Sequence, residues 1–146
     1  MTTPDSVGAS LTFLFGKLGV IATAGFAAEL AAVGIKPRHC AVLELARGQA
    51  LSQLDIAHRV GVTPSVVVDM LDELEDLGAV RRVADPGDRR RRVVELTTKG
   101  RSLHRHAVRA AAKADRGLLS GLDDRAQAAV RASMARLGAA HGLDFS

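Results

Sequence analysis

A mainly α-helical fold carrying one small β-hairpin is predicted for this 146-residue chain by three observations. Apolar residues recur at spacings of three and four over most of its length, as on amphipathic helices. Leu51 to Ser65 reads as a helix, a glycine turn at Gly61 and a second helix. Just beyond, two short β-branched runs flank Asp85-Pro86-Gly87-Asp88. That is turn chemistry, because Pro sets φ, Gly tolerates positive φ and each Asp can bond its local backbone. A helix-turn-helix followed by a hairpin spells a winged helix-turn-helix. The helices on either side are long enough to carry N- and C-terminal dimerisation surfaces.

Taken in order, residues 1–9 read as a polar tail. Leu11, Leu14, Phe15, Leu18, Ile21, Ala22, Phe26, Leu30 and Val33 mark a helix from Ser10 to Val33, with Phe13, Val20, Ala27 and Ala31 as a second stripe. Gly34 stops it. A second helix runs from Pro37, whose missing N–H costs nothing in a first turn, to Arg47. Ser52 is placed to cap the first helix of the helix-turn-helix, and Thr63 the second, with Pro64 just inside. In that second helix Val66, Val67, Met70, Leu71, Leu74 and Leu77 form the expected buried stripe, leaving Ser65, Val68, Asp69, Asp72 and Glu73 outward. Strands are expected over Ala79–Val83 and Arg92–Leu96. Thr97 caps a long helix striped by Leu103, Ala107, Ala110, Ala111, Ala114 and Leu118. Asp123 or Asp124 opens a last one, to Leu137, striped by Ala126, Ala129, Val130, Met134 and Leu137.

Composition narrows the function. Hydrophobic residues make up 47% of the chain, enough for a core, and with aromatics at 3% that core must be built from Ala, Val and Leu. The net charge is +4, and its distribution matters more than its size. Residues 81–92 hold six arginines against two aspartates, whereas residues 63–78 hold five acids and no Lys or Arg. Four adjacent guanidinium groups, Arg89 to Arg92, repel one another and are most useful against a polyanion, where they displace condensed counterions. The single cysteine, Cys40, excludes an intrachain disulfide. No nucleophile–base set, phosphate-cradling loop or metal-ligand spacing is visible, so an enzyme, a cofactor and a metal site are not expected. The apolar run Leu18 to Ala28, between Lys17 and Glu29, reads as too short to span a bilayer, and the cytoplasm is the default address.

The order of elements resembles the MarR family of regulators, and so do particular residues. Leu71-Asp72-Glu73-Leu74-Glu75-Asp76-Leu77-Gly78-Ala79-Val80-Arg81-Arg82 resembles the family's exit from the recognition helix into the wing. Asp85-Pro86-x-Asp88-Arg89-Arg90 followed by Val94-x-Leu96-Thr97-x-x-Gly100 is similar to its wing signature. The likeness spans about residues 10–140. It implies a single domain over 1–146, with dimerisation helices at 10–34 and 98–140 around a winged helix-turn-helix at 37–97. It further implies a homodimer on a pseudo-palindromic double-stranded DNA operator, usually acting as a repressor. Release by a small, lipophilic, often phenolic anion, bound between the dimer helices and the winged domain, belongs to the same implication.

The candidate DNA-binding residues are Ser52, Gln53, Thr63, Pro64, Ser65, Val68, Asp69, Arg82, Arg89, Arg90 and Arg91. Ser52 and Gln53 are expected at phosphates, and Thr63 or Ser65 at phosphates or base edges. Pro64, Ser65 and Val68 suit thymine methyl groups, and one or two wing arginines suit the minor groove. Asp69 either accepts from cytosine N4 or faces solvent. Asp85 and Asp88 are expected to shape the wing, and the resemblance makes Arg90 the residue tying the wing to the body. The acids Asp72, Glu73, Glu75 and Asp76 either face solvent or pair with Arg81 and Arg82. His39 either lines an anion pocket against the first helix or packs between helices. Cys40 reads as an inert thiol, since the family's peroxide-sensing branch carries its cysteine in the first helix near tyrosines, and this chain has none. A contrasting reading, motivated by the acidic second helix, is a winged-helix protein-interaction module without specific DNA binding.

Overall fold

In the computed structural model, which describes residues 3–143, six helices and a two-stranded antiparallel hairpin follow one another. The first two residues of the expected tail lie outside that range, and Val7–Ala9 forms a short 3-10 turn. Helix α1 spans Leu11–Leu30, with the Ser10 hydroxyl accepting from the Phe13 amide at 3.2 Å. It tightens into a 3-10 turn, Ala31–Val33, and Gly34 ends it at φ 74°. Helix α2 is Pro37–Gly48, α3 is Gln53–Val60 and α4 is Pro64–Asp76.

Strands β1 (Val80–Ala84) and β2 (Arg92–Leu96) pair from Val80 with Leu96 to Ala84 with Arg92. The first strand thus starts one residue later than the sequence predicts. Ala79 is spent otherwise: its amide bonds Leu74 O at 2.8 Å, and its carbonyl accepts from the Thr97 amide at 3.0 Å. Leu51 adds a one-residue bridge to Val94. Helix α5, Thr98–Leu118, is capped by the Thr97 hydroxyl, and α6, Asp124–Ala140, by the Asp123 carboxylate.

The core lies where α2, α3, α4 and β2 meet the start of α5. Val42, Leu43, Ile56, Val67, Met70, Leu71, Leu74 and Val94 are buried there, with Leu103 and Ala107 closing it from α5. Gly100, in the first turn of α5, permits the close approach of that helix to the hairpin. A Cβ built on it would stand 1.9 Å from the Ala79 carbonyl oxygen.

Several expected core positions are bare in the single chain. Val66 of α4 is 38% exposed, because it lies about 100° around the helix from Val67, the residue that faces α2 and α3. Leu77 is only half buried. In α5 the stripe fades after Ala110, leaving Leu118 exposed, and no residue of α6 is buried. In α1 only Leu30 is buried, while Leu11, Leu14, Leu18 and Ile21 are exposed. The membrane expectation needs correction too. With its 3-10 tail the helix runs Leu11–Val33 and is, by length and composition, long and apolar enough to cross a bilayer. The run Leu18 to Ala28 underestimated it because apolar residues continue on both sides of Lys17 and Glu29, which bounded that run. One side of α1 nevertheless packs along α5, where Glu29 meets Lys113 at 2.9 Å.

Candidate nucleic-acid interface

The hairpin tip is built by its two aspartates. Asp85 accepts from the Gly87 amide at 2.9 Å and Asp88 from the Arg90 amide at 3.0 Å. The Arg91 amide closes the loop on the Asp88 carbonyl at 2.9 Å. Each is an Asx-type bond that a short carboxylate makes two residues ahead.

The four arginines then divide. Arg91 bonds the Asp55 carboxylate on α3 and lies 3.9 Å from Asp85. Arg91, not Arg90, therefore ties the wing to the body. Both residues precede β2, in the turn that the Arg91 amide closes on the Asp88 carbonyl. Arg89, Arg90 and Arg92 are exposed, and their guanidinium groups have no partner among the described residues. Arg82, grouped by sequence with the DNA-binding residues, is instead caged. Its guanidinium donates to Glu75 at 2.7 Å, Asp72 at 2.6 Å and Val68 O at 3.3 Å, and its side chain is 22% exposed. It clamps β1 against α4, and a group so committed has little left for a phosphate.

At α3 the Ser52 hydroxyl donates to Asp55 at 2.6 Å and accepts from the Asp55 amide at 3.1 Å. Those two bonds commit the hydroxyl expected at a phosphate to a capping box. The hydroxyl's bond to the carboxylate is also the leading reason the Asp55 carboxyl lies below its ordinary range, with the Ser52 amide and Arg91 adding to it. Gln53 is half-buried beside them. At α4, Thr63 occupies the cap position, but its hydroxyl bonds Ser65 Oγ at 3.1 Å rather than the helix backbone. Thr63, Pro64, Ser65, Val68 and Asp69 are all exposed. They make one open, weakly polar edge without a cation. The other acids of α4 are mostly answered internally: Asp72 and Glu75 by Arg82, and Glu73 by residues of α2. Arg81 pairs instead with Glu95 across the hairpin, at 3.3 Å.

That Glu73 cluster was not foreseen. Glu73 accepts from Arg38 and from His39 Nε2 at 2.5 Å, with Lys36 Nζ at 3.6 Å. These hydrogen bonds, Arg38's foremost, hold its carboxyl far down, at about 2. His39 is 2% exposed, and its Nδ1 accepts from the Lys36 amide at 3.1 Å. It is thus a neutral Nε2–H donor. Burial pushes its pKa below the ordinary 6.5 despite Glu73's opposing pull. The packing reading of His39 prevails over the pocket reading. The groove against α1 is lined instead by Lys36, Pro37 and Arg38, facing Phe15, Gly16, Gly19, Val20, Thr23, Ala24 and Ala27. Its volume is about 720 Å³ and its walls are mostly apolar. Nothing in the sequence signals a contact between residues 35 apart. Cys40 lies beside His39, half-buried, where desolvation raises its thiol to about 11.

An α3–α4 pair gripped by a hairpin with free guanidinium groups, framed by long helices, defines a winged helix-turn-helix protein. A family model, that of the MarR family, matches residues 37–91. The HTH-type transcriptional repressor Rv2887 of Mycobacterium tuberculosis is 29% identical over 131 residues, covering 89% of this chain and 94% of the relative. CouR from Rhodococcus jostii RHA1, solved with p-coumaroyl-CoA, is 30% identical over 89% of this chain and 92% of its own, with a TM-score of 0.76. The transcriptional repressor CouR on a 23-mer DNA duplex is 25% identical over 94% and 99% of the two chains, with a TM-score of 0.81. The chain belongs to the MarR family.

Proposed function

We propose that this protein is a homodimeric regulator of transcription that binds double-stranded DNA at a pseudo-palindromic operator. In this reading it represses until a small lipophilic anion lodges in the groove between α1 and α2. The observation that carries the proposal is the division among the wing arginines. Arg91 fixes the hairpin to α3, so Arg89 and Arg90 project from a rigid support beside the open edge of α4. Unpaired guanidinium groups of this kind suit phosphates or a narrow minor groove, and Ser65 and Val68 suit the floor of a major groove. The bare apolar faces of α1 and α6 support pairing, which would set two such units about one helical turn apart. The repressor relatives, and CouR with a DNA duplex in one structure and an acyl-CoA in another, support the same reading. The family consists of regulators rather than enzymes, and its usual address, the cytoplasm, is the one proposed here.

Selection of bound fragments from a random duplex pool tests this. Enrichment of an inverted repeat is expected, with affinity falling by orders of magnitude from low to moderate salt if about eight phosphates are neutralised. Failure to retard any duplex at micromolar protein would favour the interaction-module reading. The internal pairing of Asp72, Glu73 and Glu75 already weakens that alternative, because it leaves little free acid on α4 for a basic partner.

A further inference from the structure

The groove between α1 and α2 holds two cations at its rim, and both answer to a carboxylate of another helix. Lys36 and Arg38 line the groove and also face Glu73, which lies outside it on α4. Both side chains are more than 40% exposed, so they remain open to a further anion. Gly16 and Gly19 leave the α1 wall open, with no atom within 4 Å of an added Cβ. An apolar trough with a cationic rim fits an amphipathic anion, its apolar body on α1 and its charged head toward Lys36 and Arg38.

We infer that Glu73 is the groove's resident counter-ion, and that an amphipathic carboxylate entering the groove takes Arg38 and Lys36 from it and thereby tilts α4. The inference rests on the groove being the effector site. Two carboxylates crowded onto one cation pair repel each other, and Glu73, carried on a helix, is the one able to withdraw. His39 cannot follow it, because its ring is packed in the core and held at Nδ1 by the Lys36 amide. The opposite side of α4 stays fixed, since Asp72 and Glu75 are clamped by Arg82 of the wing. Val67, Met70, Leu71 and Leu74 keep α4 seated in the core, so loss of the Glu73 contact tilts the helix about those side chains and the Arg82 clamp. Ser65, Val68 and Asp69 lie on the same rigid helix, within two turns of Glu73, and move with it. Ligand and DNA then oppose each other through a single contact, and the coupling must be reciprocal.

The test compares the wild-type protein with Glu73→Gln, which keeps the side-chain shape but not the charge, and whose amide oxygen can accept from Arg38 or His39 but not from both. Salicylate serves as the probe and uncharged salicylamide as its control. By calorimetry, Glu73→Gln should bind salicylate about tenfold more tightly, within the usual range of allosteric coupling. Salicylamide should not distinguish the two proteins. Without any ligand, Glu73→Gln should hold the selected duplex more weakly by a similar factor. Arg38→Gln provides a second variant, in which salicylate binding is lost and duplex affinity again drops. Equal salicylate affinity in wild type and Glu73→Gln overturns the exchange, while the groove reading survives if salicylate still releases DNA from both. Absence of salicylate binding to either protein, or salicylate release of DNA that is unaltered in the groove-filling variant Gly19→Leu, overturns the groove and the exchange alike.

Discussion

Arg91 of the wing and Asp55 of α3, 36 residues apart in sequence, form an ion pair that joins the hairpin to the helix-turn-helix. Asp55 is also half of the capping box with Ser52, so one carboxylate starts a helix and anchors a wing. Both members are about half exposed, which limits the direct contribution of the pair to stability to less than about 1 kcal/mol. Its consequence is positional.

Two arginine substitutions should therefore behave differently. Replacing Arg89 and Arg90 together by Ala should leave the thermal midpoint unchanged and reduce the salt slope of DNA binding by about two per subunit, one for each lost phosphate contact. Arg91→Ala should weaken binding through wing displacement, and Asp55→Asn should reproduce part of its defect. Equal effects of Arg91→Ala and Arg89→Ala, with Asp55→Asn silent, would remove the anchoring role.

Gly100→Ala should cost about 3 kcal/mol, at the upper end of overpacking effects, because the new methyl would meet the Ala79 carbonyl oxygen at 1.9 Å. The gain in helix propensity, about 1 kcal/mol, offsets only part of that. Thermal unfolding followed by circular dichroism should show a midpoint roughly 10 °C lower. A midpoint equal to wild type would mean that α5 and Ala79 are not in contact as described.

Acid should destabilise the α2–α4 contact in two stages. His39 has a folded pKa below 6.5, so the unfolded chain protonates first as pH falls. The stability tied to neutral His39 is complete above 6.5 and declines below it. Glu73, held at about 2, adds a further loss as pH drops below 4.5. His39→Gln retains a donor toward Glu73 without titrating. Its midpoint should be flatter than wild type between pH 7 and 5, and identical slopes would assign the pH dependence elsewhere.

Cys40 should be inert in the folded protein. A thiol raised to about 11 carries almost no thiolate at pH 8, so iodoacetamide should label it only after unfolding. Brief peroxide treatment should leave DNA binding unaltered, and rapid labelling of native protein would contradict the burial described.

The exposed stripe Leu11, Leu14, Leu18 and Ile21 recurs at spacings of three, four and three, the pattern of a helix-pairing seam. Leu18→Glu should convert the protein to a monomer by sedimentation equilibrium. The thermal midpoint of the wild type, but not of the variant, should rise with protein concentration. A variant that remains dimeric would place the pairing surface off this stripe.

Much of what neighbours within about four residues govern was legible from sequence, the Thr63 cap being an exception. Ser52 and Thr97 cap the helices they precede, as does Asp123 of the two acids offered, Gly34 and Gly61 take positive φ where helices stop, and the hairpin turns on Asp85 and Asp88. Those features depend on local dihedral preference and short-range hydrogen bonds, which a linear sequence encodes directly. Only the tertiary structure decided which arginine is free and which is an anchor, that Arg82 is a clamp, and that Glu73 ties the recognition helix to a groove lined by Lys36 and Arg38. Each of those assignments pairs charges between seven and 36 residues apart on different elements or turns. Charge on a side chain is read from its letter, but its partner is chosen by the packing of the helices that bring the two together.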